Sequence, residues 1–202
     1  MKNIELKIHL NHFQDILAAL LEAKAEHIGN LYQTDVYFGS KSGRLKLRNI
    51  NNEKYELIFY RRPDEMEGKV SDYHIFPVTP EQIDAIISLL DQKFGKGVTV
   101  EKNRDLWIYN HTRVHLDSVV ALGNFLELET VVKDINFEQA KAEYGEVIKL
   151  LSLSEYKKES GSYSDLLIKK AEASGSVFSE KSEQSADILS YLNGLLKSEY
   201  TV

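Results

Sequence analysis

The sequence predicts an α+β protein organised around an antiparallel sheet or barrel, and three features of its 202 residues point there. Several short segments alternate polar and apolar residues with a period of two, as half-buried strands do. Segments with helical spacing and capping residues sit at breaks among these strands, which dominate the order. On many of the strands the side chains opposite the apolar face are charged.

In chain order, residues 4–10 place Ile4, Leu6, Ile8 and Leu10 on one face and Glu5, Lys7 and His9 on the other. Asn11 is a candidate cap for a helix over 12–26, where Phe13, Ile16, Leu17, Leu20 and Leu21 recur at helical spacing. Residues 32–38 read as a strand. Residues 44–48 set Leu45 and Leu47 against Arg44, Lys46 and Arg48, and Asn51-Asn52 predicts a hairpin turn into a strand over 55–61. After a strand over 73–78, Thr79 suits an N-cap, Pro80 a first helical position and Gly95 a helix stop. Residues 98–109 and 113–118 read as two strands joined by a tight turn at Asn110-His111. Residues 124–132 alternate so that Phe125, Glu127 and Glu129 share a face, and a third helix runs from about Asn136 to Leu151. The composition shifts at Ala171. A domain over 1–170 is therefore expected, followed by a linker over 171–185 and an amphipathic helix over 186–197 carrying Ile188, Leu189, Leu192, Leu195 and Leu196.

Composition narrows the function. With 43% hydrophobic residues the chain has material for a core. It has no cysteine, which excludes disulfides, thiolate metal sites and cysteine nucleophiles. A formal net charge of −6 argues against nucleic acid or an anionic membrane as a general partner. The opening residues do not read as a signal peptide, and no run approaches the roughly 18 apolar residues of a membrane span. A soluble cytoplasmic chain is expected.

The charged strand faces carry the chemistry. Taken by parity, and with Arg61 added, they collect Lys7, Arg44, Lys46, Arg48, Arg61, Lys102, Arg104 and Arg113 against Glu5, Asp117, Glu127 and Glu129. That is an excess of four positive charges in a chain whose total is −6. For one strand alone, a solvated face is the ordinary explanation. For so many together, a barrel with a charged interior and helices outside explains them better. A multiply charged anion such as a triphosphate would call for that excess, because Arg and Lys donate charge-assisted hydrogen bonds to phosphate oxygens. The carboxylates would then suit a hard divalent ion.

These residues also resemble a known family. Asn3-Ile4-Glu5-Leu6-Lys7 is similar to the Glu-x-Glu-x-Lys opening of the CYTH superfamily, the triphosphate tunnel metalloenzymes. Further resemblances follow in order: Gln33 to Phe38, Gly43 to Arg48, Tyr60 to Pro63, Glu101 to Arg104, Arg113 to Asp117 with Leu122 to Glu129, and Ser162 to Leu167. The Leu-Gly-x-Phe-x-Glu-x-Glu block most resembles the class IV adenylyl cyclase branch. The resemblance spans residues 1 to about 170 and implies an antiparallel eight-stranded barrel forming a tunnel. It implies that Lys7, Arg44, Lys46, Arg48, Arg61, Lys102, Arg104 and Arg113 contact phosphates, with Lys7, Arg61, Lys102 and Arg113 as the catalytic set. Glu5, Asp117, Glu127 and Glu129 are implied as ligands of Mg²⁺ or Mn²⁺, or as groups that orient those ligands. The sequence departs at Asn3, where the family's first Glu is missing.

The substrate implied is a nucleoside triphosphate or inorganic triphosphate. A cyclase reaction from ATP to cyclic AMP and pyrophosphate is the foremost reading; triphosphate hydrolysis and binding without turnover are the alternatives. No histidine pair has metal-ligand spacing, and His115, between Arg113 and Asp117 in parity, fits tunnel or core equally. Tyr37, Phe38, Phe59 and Trp107 read first as core. Tyr163 and Asp165 either plug one tunnel end or anchor a last helix. The apolar stripe near the C-terminus suits packing on its own domain or on a second copy in a homodimer.

Overall fold

A computed structural model describes residues 2–40, 43–61, 72–175 and 192. Its elements are β1 (Lys2–Leu10), α1 (Gln14–Glu22), β2 (Glu26–Phe38), β3 (Arg44–Ile50), β4 (Lys54–Arg61), β5 (Asp72–Val78), α2 (Ile83–Phe94), β6 (Lys96–Tyr109), β7 (Thr112–Val119), β8 (Gly123–Val132), α3 (Phe137–Leu150) and α4 (Tyr163–Ala173). The strands form one antiparallel sheet in the order β1-β8-β7-β6-β2-β3-β4-β5. All eight strands contribute side chains to a single cavity, so the sheet is rolled round it as a tunnel.

The two expected hairpin turns form where two consecutive residues had to leave the strand conformation. Asn51 and Asn52 both take positive φ, 55° and 57°, and the Glu53 amide donates to the Ile50 carbonyl. That is the left-handed twist this tight turn needs within the three-residue loop between paired Ile50 and Lys54, and Asn tolerates it better than most residues. Asn110, with φ 51°, opens the turn between β6 and β7.

The apolar halves of the alternation face outward onto helices. Leu6, Ile8 and Leu10 of β1 join Leu126, Leu128, Val114, Leu116 and Trp107 beneath α1 and α3. Phe38, Leu45, Leu47, Leu57 and Phe59 form the equivalent layer beneath α2, joined by Leu192. Leu192 is the one described residue of the expected helix over 186–197, and it packs on its own domain. The rest of that helix, and most of the expected linker, lie outside the described residues.

Three boundaries differ from expectation. α1 covers Gln14–Glu22 instead of 12–26; its N-cap is Phe13, without a side-chain cap, and Lys24 at φ 55° turns the chain out of the helix. β2 starts at Glu26, six residues early, because pairing with the long β6 carries a segment with no apolar alternation of its own. A bulge between His27 and Gly29, with Gly29 at φ 141°, absorbs the resulting register shift. Finally, α4 continues to Ala173, beyond the change of composition. It opens with a capping box: the Ser162 hydroxyl accepts from the Asp165 amide and the Asp165 carboxylate accepts from the Ser162 amide.

α4 decides the shape of the interior. Tyr163, Leu166 and Leu167 pack against Val100, Val119 and Phe125, which belong to the same inward parity as the charged residues. One end of the tunnel is thus filled by an apolar plug.

Candidate active site

The cavity inside the sheet has a volume of about 320 Å³, within the range of small-molecule sites. Its basic lining is Lys7, Lys46, Arg48, Lys102, Arg104 and Arg113, and its acidic lining is Glu5, Asp35, Glu56, Glu127 and Glu129. Nine of the twelve expected site residues are therefore brought together. Arg44 is not among them; it pairs with Asp165 at 2.6 Å and so ties β3 to α4. Asp117 lies fully buried outside the lining. Arg61 ends β4, and its side chain lies outside the described residues.

The local geometry follows from register. β1 and β8 place Glu5 opposite Glu129 and Lys7 opposite Glu127. Lys7 Nζ is 3.0 Å from Glu127 Oε1, and Arg104 donates to Glu127 Oε2 at 2.8 Å. Arg104 also grips Asp117 with two bonds of 2.7 and 2.6 Å. The Tyr163 hydroxyl donates to Asp117 Oδ2 at 2.8 Å, and Lys102 Nζ stands 3.5 Å away. Both Asp117 oxygens are thus committed to holding cations in place. The Tyr163 ring lies under Lys7 and Lys102, 4.1 and 4.9 Å from their ammonium groups, so the apolar plug ends in a surface that favours cations.

Asp35 is the residue that parity counting missed. It sits on β2 opposite Arg48 of β3 and accepts from Arg48 Nε at 2.7 Å, Arg48 Nη2 at 2.8 Å and Lys46 Nζ at 2.7 Å. Burial pushes its pKa up, but the charges of Arg48 and Lys46 outweigh that and hold it well below the usual carboxylate range. Among the described residues the lining holds six cations and five carboxylates, because Arg44 and Asp117 lie outside it while Asp35 and Glu56 join it. The signal for Asp35 was in the sequence, inside a block already singled out, but acidic residues on β2 were not counted by face.

Crowding of cations has a measurable consequence. Burial, then the neighbouring Arg48, lowers the Lys46 ammonium to about 7 despite its bond to Asp35. Burial and Arg104 lower Lys102 to about 8. Glu127 is held well below its ordinary value, burial being outweighed by Lys7, by His115 and by Arg104. Tyr37 packs against the cluster of Val100, Val119 and Phe125 and also lines the cavity, together with Tyr60, Ile58 and Ile75. Phe38, Phe59 and Trp107 are core as expected.

For a divalent ion, the donor set fits. Glu5 and Glu129 face each other across β1 and β8, and Glu127 lines the same side. The Asn3 side-chain oxygen, buried and without a hydrogen-bond partner, also lines the cavity. His115, Glu127 and Glu129 bring one ligand atom each within 4.8 Å of one another. Oxygen-rich donors on one wall suit a hard cation.

A model of the CYTH domain family matches residues 1–163. The chain belongs to the CYTH family. A Methanocaldococcus jannaschii protein named "Putative adenylate cyclase MJ0240" is 24% identical over 169 residues, 76% of this chain and 91% of that protein. Among solved structures, the PH1012 protein of Pyrococcus horikoshii superposes with a TM-score of 0.70 at 28% identity, covering 81% of this chain and 98% of that one. A Hippeastrum protein described by a dominant triphosphatase activity has the same fold, with a TM-score of 0.60 at 15% identity over 90% of this CYTH chain and all of that one. Among the described residues, no helix is long and apolar enough to cross a membrane.

Proposed function

We propose that this CYTH protein is a metal-dependent enzyme acting on an organic triphosphate, and that its reaction is the conversion of ATP to cyclic AMP and pyrophosphate. The observation that carries the reading is the gathering of cations and carboxylates from the inward faces of the strands into one cavity. Lys46 and Arg48 on β3 and Lys102 and Arg104 on β6 share it with Glu5, Glu127 and Glu129 on β1 and β8, and Lys7 and Arg104 reach Glu127 directly. Among the described residues, six cations against five carboxylates leave little net attraction for a free polyanion. Two added positive charges beside the carboxylates would release the cations to a phosphate chain.

Glu5, Glu129 and Glu127 are the residues that would hold a divalent ion, Mg²⁺ or Mn²⁺, which when bound neutralises phosphate charge and polarises the reacting phosphorus. The chain's own cations do the positioning. Arg48, Lys46 and Arg104 are fixed by Asp35 and Asp117 before substrate arrives, so little reorganisation is needed to receive phosphate oxygens. Lys7, Lys102 and Arg113 complete the set around the reacting group. Tyr37, Tyr60, Ile58 and Ile75 supply an apolar wall that inorganic triphosphate would leave unused and a nucleoside would cover. In the cyclase reaction the ribose 3′ oxygen bonds to the α-phosphorus while the bond to pyrophosphate breaks. The lysines and arginines stabilise the charge that accumulates on the leaving group.

Triphosphate hydrolysis is the second reading, favoured by the triphosphatase activity described for the Hippeastrum protein of the same fold. Incubating the protein with ATP and, separately, tripolyphosphate, each with Mg²⁺ or Mn²⁺, tests both. Cyclic AMP with pyrophosphate supports the first reading. Orthophosphate release supports the second. Tight binding of either compound without product would show a binding module and contradict both.

A further inference from the structure

On β7, residues of one parity point inward: Arg113, His115 and Asp117. Arg113 reaches the cavity and Asp117 is consumed by Arg104, Tyr163 and Lys102. His115, between them, makes no hydrogen bond of ordinary length through Nδ1. It is 3% exposed, and its Nδ1 is buried with no hydrogen-bond partner. That nitrogen stands 3.6 Å from Glu127 Oε2 and 4.0 Å from Glu129 Oε1, both too long for hydrogen bonds. A buried imidazole nitrogen without a partner is costly unless something occupies the gap it faces. Here the gap is bordered by two carboxylates, with all three ligand atoms within 4.8 Å. Bonds of about 2.0–2.2 Å to a central ion would close that spacing with small side-chain rotations.

We infer that His115 is a nitrogen ligand of the divalent ion, completing with Glu127 and Glu129 a mixed imidazole–carboxylate site that favours Mn²⁺ and heavier first-row ions over Mg²⁺. The inference rests on the reading that the cavity works with a divalent ion, and it adds the ligand set and metal preference that follow from this chain's own residues. Two features support it. Asn3 leaves the β1 side of the cavity with an amide oxygen and one carboxylate, Glu5, so the β7–β8 side has to supply more of the binding. Glu127, although it accepts from Lys7 and Arg104, uses one lone pair of each oxygen in doing so, and a carboxylate offers about four. Mg²⁺ keeps oxygen ligands and water in near-octahedral order, whereas imidazole is bound more readily by transition ions.

The test is pulsed electron paramagnetic resonance on the full-length protein loaded with Mn²⁺ alone. We expect modulation from one directly bonded ¹⁴N, which disappears in His115→Gln. Mn²⁺ affinity should fall by about tenfold or more in that variant while Mg²⁺ affinity changes little, so the preference for Mn²⁺ shrinks. Histidine-specific ¹⁵N labelling of the unaltered chain, which replaces the ¹⁴N pattern with that of ¹⁵N, gives the same readout should the variant fail to fold. Bound Mn²⁺ with no nitrogen coupling, or coupling retained in a folded His115→Gln protein, overturns the assignment of His115 and leaves the divalent-ion reading standing. Failure of the unaltered protein to bind Mn²⁺ at millimolar concentration overturns this inference, and turnover measured in Mg²⁺ then shows whether the broader reading falls with it.

Discussion

Lys46 shows how a single residue couples the fold to ligand binding. Its ammonium is held near 7 by burial first and by Arg48 second, and the bond to Asp35 only partly offsets these. A bound phosphate chain stabilises the charged form, so binding takes up a proton whenever Lys46 starts neutral. Affinity for tripolyphosphate should therefore fall as pH rises above about 7, by up to roughly tenfold per unit, until the pKa of the bound state is reached. Isothermal calorimetry in two buffers of different ionisation heat measures that uptake, and Lys46→Met should lower it by about half a proton at pH 7 and by up to one proton at higher pH. Asp117 makes the complementary point about stability. Replacing it by Ala removes two of the three carboxylate bonds of Arg104 and the ion pair of Lys102, and unfolding in urea should show a loss of about 3–5 kcal/mol. Alternation alone made most of the lining residues legible, since Lys7, Arg48, Lys102 and Glu129 all follow the parity of their strands. Asp35 follows the parity of Gln33 and Tyr37 on β2 and was legible in the same way, but alternation could not show that Asp117 serves as a buttress behind the lining.

Among the elements, α4 changes the interior more than any helix on the outside. It brings Tyr163 beneath two lysines and Asp165 to Arg44. Tyr163→Phe keeps the ring and the plug but removes the hydroxyl's bond to Asp117, a loss of about 1.5–3 kcal/mol for a hydrogen bond to a charged group. Thermal unfolding measures it, and an unchanged midpoint would show that the hydroxyl is irrelevant to the plug. The helix itself was only half visible beforehand. Its capping box at Ser162 and Asp165 could be read, but its apolar side is formed partly by Tyr163 turning inward, and its continuation to Ala173 runs through residues that look like linker. Hairpins were easier, because Asn51-Asn52 states its own backbone geometry. The early start of β2 is the opposite case: only the partner strand β6 determines it.

At the scale of the whole molecule, helices cover the outside of the rolled sheet so that its inner face is free to be ionic. Sequence periodicity separates the two faces but carries no information about how far the sheet curls, and the strand order depends on long-range pairing such as β2 with β6. Once curled, the sheet sets Glu129 beside Glu5 and Lys7 against Glu127. Lys7→Ala and Glu129→Ala should each lower turnover by at least about 100-fold, measured as product formed from ATP or tripolyphosphate. The most direct test of the cavity's role is a crystal structure of the protein grown with a non-hydrolysable ATP analogue and Mn²⁺. The phosphate chain should lie inside the sheet, within hydrogen-bond reach of Arg48, Lys102 and Arg104, with the ion against Glu127 and Glu129. Phosphates bound on the outer surface, or a cavity still empty at saturating ligand, would contradict it.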